Sequence, residues 1–118
     1  MTSTHLIRFA EAQAPQPETG QPATILEGNP QTTTHNFFAD QTQQFFSGIW
    51  ESTSGKWRIS YTENEFVQIL EGEAILTAAD GTAEKVTAGD SFVVPAGFEG
   101  TWESVTPVKK LYAIFEAH

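Results

Sequence analysis

From residue 36 onward the chain alternates apolar and polar positions over short runs bounded by turn-forming residues, and no segment repeats apolar residues at the period of a helix. The runs read HNFFAD, QFFSGIWES, KWRISYT, EFVQILEGEAILTAA, TAEKVTAG, DSFVVP, GTWESV and KKLYAIFEA. Segments this short, with turn residues roughly every eight to twelve positions, predict an all-β sandwich or small barrel. Asp80-Gly81 predicts a two-residue hairpin turn, because both residues tolerate a positive φ. Gly72 breaks the longest apolar run and predicts a bulge or sharp bend.

Ahead of these runs the pattern fades. Residues 11–34, EAQAPQPETGQPATILEGNPQTTT, hold four of the six prolines and little apolar periodicity beyond Ile25 and Leu26, which predicts an arm or a long surface loop. LIRFA, residues 6–10, predicts a short strand added to a sheet edge. The expected organisation is an N-terminal arm and loop over residues 1–34 and one β-barrel domain over residues 35–118. A chain of 118 residues holds a single core and buries roughly two thirds of its unfolded surface.

Composition narrows the chemistry. There is no cysteine, which removes disulfides, thiolate metal sites and cysteine nucleophiles together. Six Lys and Arg against fifteen Asp and Glu give a formal charge of -9, so a phosphate backbone is repelled and nucleic acid is not an expected partner. No stretch is apolar enough to cross a bilayer as a helix and the start lacks a secretory pattern, so the expectation is a cytoplasmic protein with no membrane partner. Nine Phe, three Trp and two Tyr are many for a small polar chain, and some are expected to line a cavity or a subunit interface. Phe37, Phe38, Phe45 and Phe46 are candidates for a sheet face or subunit contact, which points to a homodimer. A serine hydrolase is not expected, because no G-x-S-x-G turn is present.

Two stretches carry motifs. Glu65 and Gly72 have the spacing E-x6-G, and Gly89, Pro95 and Gly97 in GDSFVVPAG have the spacing G-x5-P-x-G. Both resemble the signatures of the cupins, G-x5-H-x-H-x3,4-E-x6-G and G-x5-P-x-G-x2-H-x3-N. The resemblance implies a double-stranded β-helix, a jelly-roll cupin barrel of two packed sheets. More narrowly, WESTSGKW, YTENEF, PAGFEGTWE and PVKKLY, within residues 35–116, are similar to the small single-domain cupins related to ureidoglycine aminohydrolase and to the cupin of ethanolamine utilisation.

The same resemblance implies where metal ligands would stand. The first-motif histidines fall on Ile59 and Tyr61, or on Arg58 and Ser60 in the longer spacing, and the second-motif histidine falls on Gly100. His5, His35 and His118 all lie outside the motifs. One glutamate does not supply the three or four ligands a transition ion takes, so no metal or other cofactor is expected. Oxygen-only coordination of a hard cation by Tyr61, Glu63 and Glu65 is conceivable, and a metal-dependent enzyme of the ureidoglycine aminohydrolase type, holding Mn, Ni, Fe or Zn, stands as a separate alternative.

In the register that the resemblance implies, the chain turns back between Tyr61 and Glu65 and makes them neighbours, whereas four extended residues would hold them roughly 13 Å apart. Trp57, Ile59 and Tyr61 then form one wall, Glu65, Val67 and Ile69 the next, and Phe98, Gly100 and Trp102 the opposite one. A slip of one residue would turn every side chain over. A carboxylate among aromatic rings is poorly solvated, so its charge is disfavoured unless a cation or donors answer it, and that is the setting a general acid or base uses.

The expected catalytic residues are therefore Glu65 and Tyr61. The expected ligand-binding residues are Trp57, Ile59, Lys56, Phe98, Gly100 and Trp102, with Gly100 leaving space for an organic ligand. Lys56, Arg58 or Lys110 is expected either to neutralise Glu65 or to bind an acidic ligand, unless Lys56 or Arg58 pairs with Glu51. The ligand is a compact polar metabolite such as a ureide, an amino acid derivative or a sugar. Two readings stand beside this one: a binding or sensory pocket without chemistry, and a Glu65 that merely closes the barrel through hydrogen bonds. For a catalytic Glu65, Glu65→Gln is expected to abolish turnover with the melting temperature nearly unchanged.

Overall fold

The computed structural model describes residues 5–10 and 14–117. Its elements are β1 (Glu18–Gly20), β2 (Ile25–Gly28), β3 (Thr32–Ala39), β4 (Phe45–Ser52), β5 (Gly55–Ser60), β6 (Asn64–Glu71), β7 (Glu73–Ala78), β8 (Ala83–Thr87), β9 (Ser91–Val94), β10 (Glu99–Ser104) and β11 (Val108–Phe115). Each apolar run of the sequence forms a strand, and the longest forms two, β6 and β7. Among the described residues no helix is long and apolar enough to cross a membrane.

The strands make two antiparallel sheets, a six-stranded one in the order β1-β3-β4-β11-β6-β9 and a five-stranded one in the order β2-β5-β10-β7-β8. From β4 to β7 each strand crosses from one sheet to the other, and β9, β10 and β11 do so again. This is the expected jelly roll. Alternation aims Val67 and Ile69 of β6 and Ala74 and Leu76 of β7 inward, where they pack with Trp57, Val94, Trp102 and Val108. Burying a side chain of valine size or larger stabilises by roughly 1.5–3 kcal/mol, so this layer holds the sheets together.

Gly72 is the bend that the sequence predicts. Its φ is +94°, and a Cβ there would stand 2.1 Å from the Pro107 carbonyl oxygen. The Asp80-Gly81 hairpin differs from the expectation. Gly81 has a φ of +92° but Asp80 does not join it, because the Gly81 N–H donates to the Ala78 carbonyl across a turn centred on Ala79 and Asp80. Asp80 also accepts from the Thr82 N–H at 2.9 Å. The loop is thus one residue longer, with glycine alone in the left-handed conformation.

The N-terminal third departs furthest from its expected irregularity. β1 pairs with β3, β2 pairs with β5, and β3 runs across the expected domain boundary at residues 34 and 35. Prolines flank these strands instead of interrupting them, which hides strands of only three and four residues from a reading by composition. LIRFA forms no strand; Phe9 stacks on Phe37 with ring centroids 4.7 Å apart. Residues 11–13 of the expected arm, and His118, lie outside the described residues.

Candidate functional site

Between the sheets lies a cavity of about 480 Å³. The six-stranded sheet lines it with Glu18 of β1, Thr34 and Asn36 of β3, Phe46 and Trp50 of β4, Glu65 of β6, and Lys110, Tyr112 and Ile114 of β11. From the other side come Trp57 and Ile59 of β5, Trp102 of β10, and Tyr61 and Glu63 from the turn between β5 and β6.

That turn is held by the second motif. The Tyr61 N–H donates to the Phe98 carbonyl at 2.9 Å, the Gly97 N–H donates to the Tyr61 carbonyl at 2.7 Å, and the Ala96 N–H donates to Asn64 Oδ1 at 2.8 Å. Gly97 adopts a φ of +94°, so the glycine of the motif shapes the loop that fixes Tyr61. The Tyr61 hydroxyl then donates to Glu65 Oε1 at 2.6 Å. Pairing of these two side chains is the geometry that the register implies.

Glu65 is 3% exposed and faces a second partner. Lys110, 5% exposed, brings Nζ to 3.0 Å from Glu65 Oε2. Lys110 stands opposite Ile69 on β6, after a bulge at Lys109/Lys110, so its stem runs back along the cavity to reach the carboxylate. Its Nζ also lies 4.5 Å from the Trp50 ring centroid and 4.7 Å from that of Trp102, where the indole faces attract a cation. The indoles are fixed in turn: Trp50, Trp57 and Trp102 contact one another with centroids 5.7 to 6.4 Å apart, and Trp102 Nε1 donates to Ser104 Oγ at 2.9 Å.

The phenols are held in their protonated form. Burial raises the Tyr61 pKa far above that of a free phenol, and the Glu65 charge, the hydrogen bond to Glu65 and the Glu63 charge push the same way. Tyr112 is pushed up to about 12, first by burial and then by Glu65 and Glu18. Its hydroxyl donates to Asn36 Oδ1 at 2.6 Å.

Of the residues expected from the sequence, Glu65, Tyr61, Trp57, Ile59 and Trp102 meet in the cavity, with Lys110 as the cation. Three expected ligand-binding residues do not. Lys56 points away and approaches Glu27 at 3.8 Å. Phe98 packs in a separate cleft with Leu76, Val86 and Phe92, and it serves the site only through its backbone carbonyl. Gly100 opens no space in this cavity: a Cβ there would stand 1.9 Å from the Thr77 carbonyl oxygen, so the absent side chain admits β7, and Gly100 lies instead in a neighbouring cleft with Arg58 and Glu99. Val67 and Ile69 belong to the packed core. Glu51 lies 3.9 Å from His35 Nε2, in place of the expected lysine or arginine partner.

Trp50, Tyr112, Asn36 and Phe46 line the cavity without having been expected there. The same alternation that points Lys110 inward carries Tyr112 with it on β11, and Trp50 and Phe46 share one face of β4. Glu18 gives no signal in the sequence, because its strand is three residues long.

A metal of the kind cupins hold does not fit these residues. Isoleucine, tyrosine and glycine occupy the histidine positions, both Glu65 oxygens are engaged, and an ammonium already sits beside the carboxylate. Among the described residues no three His, Cys, Asp or Glu side chains converge as ligands.

Comparison with solved structures agrees with the fold. A protein of unknown function from Pseudomonas syringae pv. tomato superposes with a TM-score of 0.74 at 27% identity, over 84% of this chain and 43% of that one. The chain thus spans less than half the length of that relative. A Thermotoga maritima protein assigned to the same domain family matches at 34% identity with a TM-score of 0.53, over 54% of this chain and 73% of that one. A putative ethanolamine utilisation protein Q from Salmonella typhimurium, at 16% identity, shares the fold with a TM-score of 0.66, over 87% of this chain and 98% of that one. No curated protein matches the chain in sequence. The family model of the EutQ-like cupin domain matches residues 39–112, more than half of the chain, and the protein belongs to that family.

Proposed function

We propose that this cupin binds a small polar metabolite in the aromatic cavity and exchanges a proton with it through Glu65 and Tyr61, without a metal and with Lys110 as the fixed positive charge. One observation carries the reading. The only buried carboxylate among the described residues lies in the cavity wall, between a phenol and an ammonium. A barrel that needed only to be filled would gain as much from apolar side chains, since a buried ion pair adds little net stability.

The roles follow from the surroundings. Tyr61 stays protonated, so it is a donor, and Glu65 is the group that accepts a proton. As Glu65 takes a proton from the substrate, its hold on the Tyr61 hydroxyl weakens, and that hydroxyl becomes free to donate to the oxygen where negative charge builds. Lys110 stabilises the same charge from a position that indoles and carboxylate have already fixed.

A second reading, a binding or sensory pocket without chemistry, is favoured by the fact that both Glu65 oxygens already have partners. Isotope exchange separates the two. Ligands selected from a metabolite library by thermal shift are incubated with the protein in D2O, recovered and weighed by mass spectrometry. Proton exchange predicts deuterium in a C–H position, or a product, with the wild type, and a loss of about a hundredfold or more in rate with Tyr61→Phe. A ligand that stabilises the protein and returns unaltered supports the second reading and contradicts the first.

We also propose that two copies pair through the outer face of the six-stranded sheet. Phe45, Phe66, Val93 and Phe115 are exposed there, and the cross-strand pairs Phe115↔Phe45 and Phe66↔Val93 make the apolar surface continuous. Two chains that each carry a charge of -9 repel one another, and a face built of such side chains is where they meet at least electrostatic cost.

A further inference from the structure

Four charged side chains line the cavity, Glu18, Glu63, Glu65 and Lys110, and they do not balance. Lys110 is engaged with Glu65 at 3.0 Å. Glu18, which is exposed, and Glu63, which is half-buried, stand at the solvent side of the cavity and have no cationic partner among the described residues. Glu63 accepts one hydrogen bond, from the Thr62 N–H at 3.0 Å. Lys56 is turned toward Glu27, and the exposed Arg58 shares a neighbouring cleft with Glu63 without forming an ion pair with it.

The field of these two carboxylates extends across the cavity. Glu18 contributes to the raised pKa of Tyr112, and Glu63 contributes to that of Tyr61, from separate elements of the fold. Between them stand the rings of Phe46, Trp50 and Trp57, and the faces of such rings are negative. Trp50 and Trp102 already face one ammonium, that of Lys110, so a cation is accommodated against these indoles.

An anionic ligand would have to take Lys110 from Glu65 or lie unpaired beside two carboxylates. A neutral ligand would leave both carboxylates to solvent and gain nothing from them. We propose that the ligand of this cavity is a small organic cation, with an amine or quaternary ammonium facing Glu18 and Glu63 and an oxygen function reaching Tyr61 and Lys110. The proposal rests on the reading of the cavity as a ligand site and adds the charge and polarity of the ligand. The overall charge of -9 draws cations toward the molecule and raises their encounter rate.

Three probes of one shape test it: choline, its neutral isostere 3,3-dimethyl-1-butanol, and the anion 3,3-dimethylbutanoate. Each is titrated into the full chain at low ionic strength, with the indole N–H resonances as the readout. Choline is expected to bind about tenfold or more tightly than the alcohol, and the anion more weakly than either. Added salt should narrow the gap. Glu18→Gln and Glu63→Gln should each weaken choline about three- to fivefold, with the alcohol's affinity and the melting temperature unchanged.

Equal affinity for choline and the alcohol, or tighter binding of the anion, overturns the cation assignment while the cavity remains a binding site. If none of the three moves an indole resonance at millimolar concentration, the assignment fails together with the reading beneath it.

Discussion

Glu65 and Lys110 are each at least 95% withdrawn from solvent, and their charged atoms lie 3.0 Å apart. Removing one charge leaves the other almost wholly withdrawn from solvent and without its partner. Glu65→Gln should therefore destabilise the protein by about 3–5 kcal/mol in urea denaturation, a prediction that replaces the expectation of a nearly unchanged melting temperature. Lys110→Met should cost a similar amount. The double substitution should recover much of the loss, because it leaves neither charge alone, whereas additive losses would show that the pair is not coupled. The Tyr61–Glu65 contact was legible, since the motif spacing and the turn between them fix their register. Lys110 could be named only as one of three candidates with Lys56 and Arg58, because its strand meets that of Glu65 only through long-range pairing, which no local pattern reveals.

The tyrosines of the cavity tie stability to alkaline pH. Both have folded-state pKa values above the ordinary value of 10.0, so the folded protein holds these protons more tightly than the unfolded chain. Their contribution is complete below pH 10.0 and is lost as pH rises through the folded values, for Tyr112 between 10.0 and about 12. Urea midpoints measured from pH 8 upward should fall beyond about pH 10, and more gently in Tyr61→Phe and Tyr112→Phe. A wild-type profile that is flat across that range would contradict the buried phenols.

Among the strands, close approach of backbones sets what a single residue can be. Gly100 admits the Thr77 carbonyl of β7 to a place that a methyl group would fill, at 1.9 Å. Gly100→Ala should cost about 1–3 kcal/mol or more, although alanine is the smallest possible addition. A stability within about 0.5 kcal/mol of wild type would mean that the two strands lie further apart than described. The sequence placed every strand from β3 to β11, because alternation and turn residues act locally and both are strong there. It missed β1 and β2, which are short, flanked by proline, and stabilised by pairing with β3 and β5 and not by a pattern of their own. Since β1 carries Glu18, one wall of the cavity was invisible for the same reason. Gly100 was misread because a missing side chain looks the same in a sequence whether it makes room for a ligand or for a neighbouring strand.

For the molecule as a whole, the outer face of the six-stranded sheet and the cavity are distinct properties. Phe66→Glu should turn a homodimer into monomers in light scattering after size exclusion, since it places a charge at the centre of the apolar face. A wild-type protein that is monomeric at high concentration would contradict the dimer without touching the cavity.

Lys110 stands where a metal would otherwise answer Glu65, so that the rest of the space is left for an organic ligand. The most direct test is calorimetric titration of the purified, chelator-treated protein with Mn2+, Ni2+ and Zn2+, with Glu65→Gln titrated alongside. No saturable heat attributable to the cavity and no stabilisation at one equivalent of any ion are expected. Stoichiometric binding that stabilises the wild type and disappears with Glu65→Gln would contradict it.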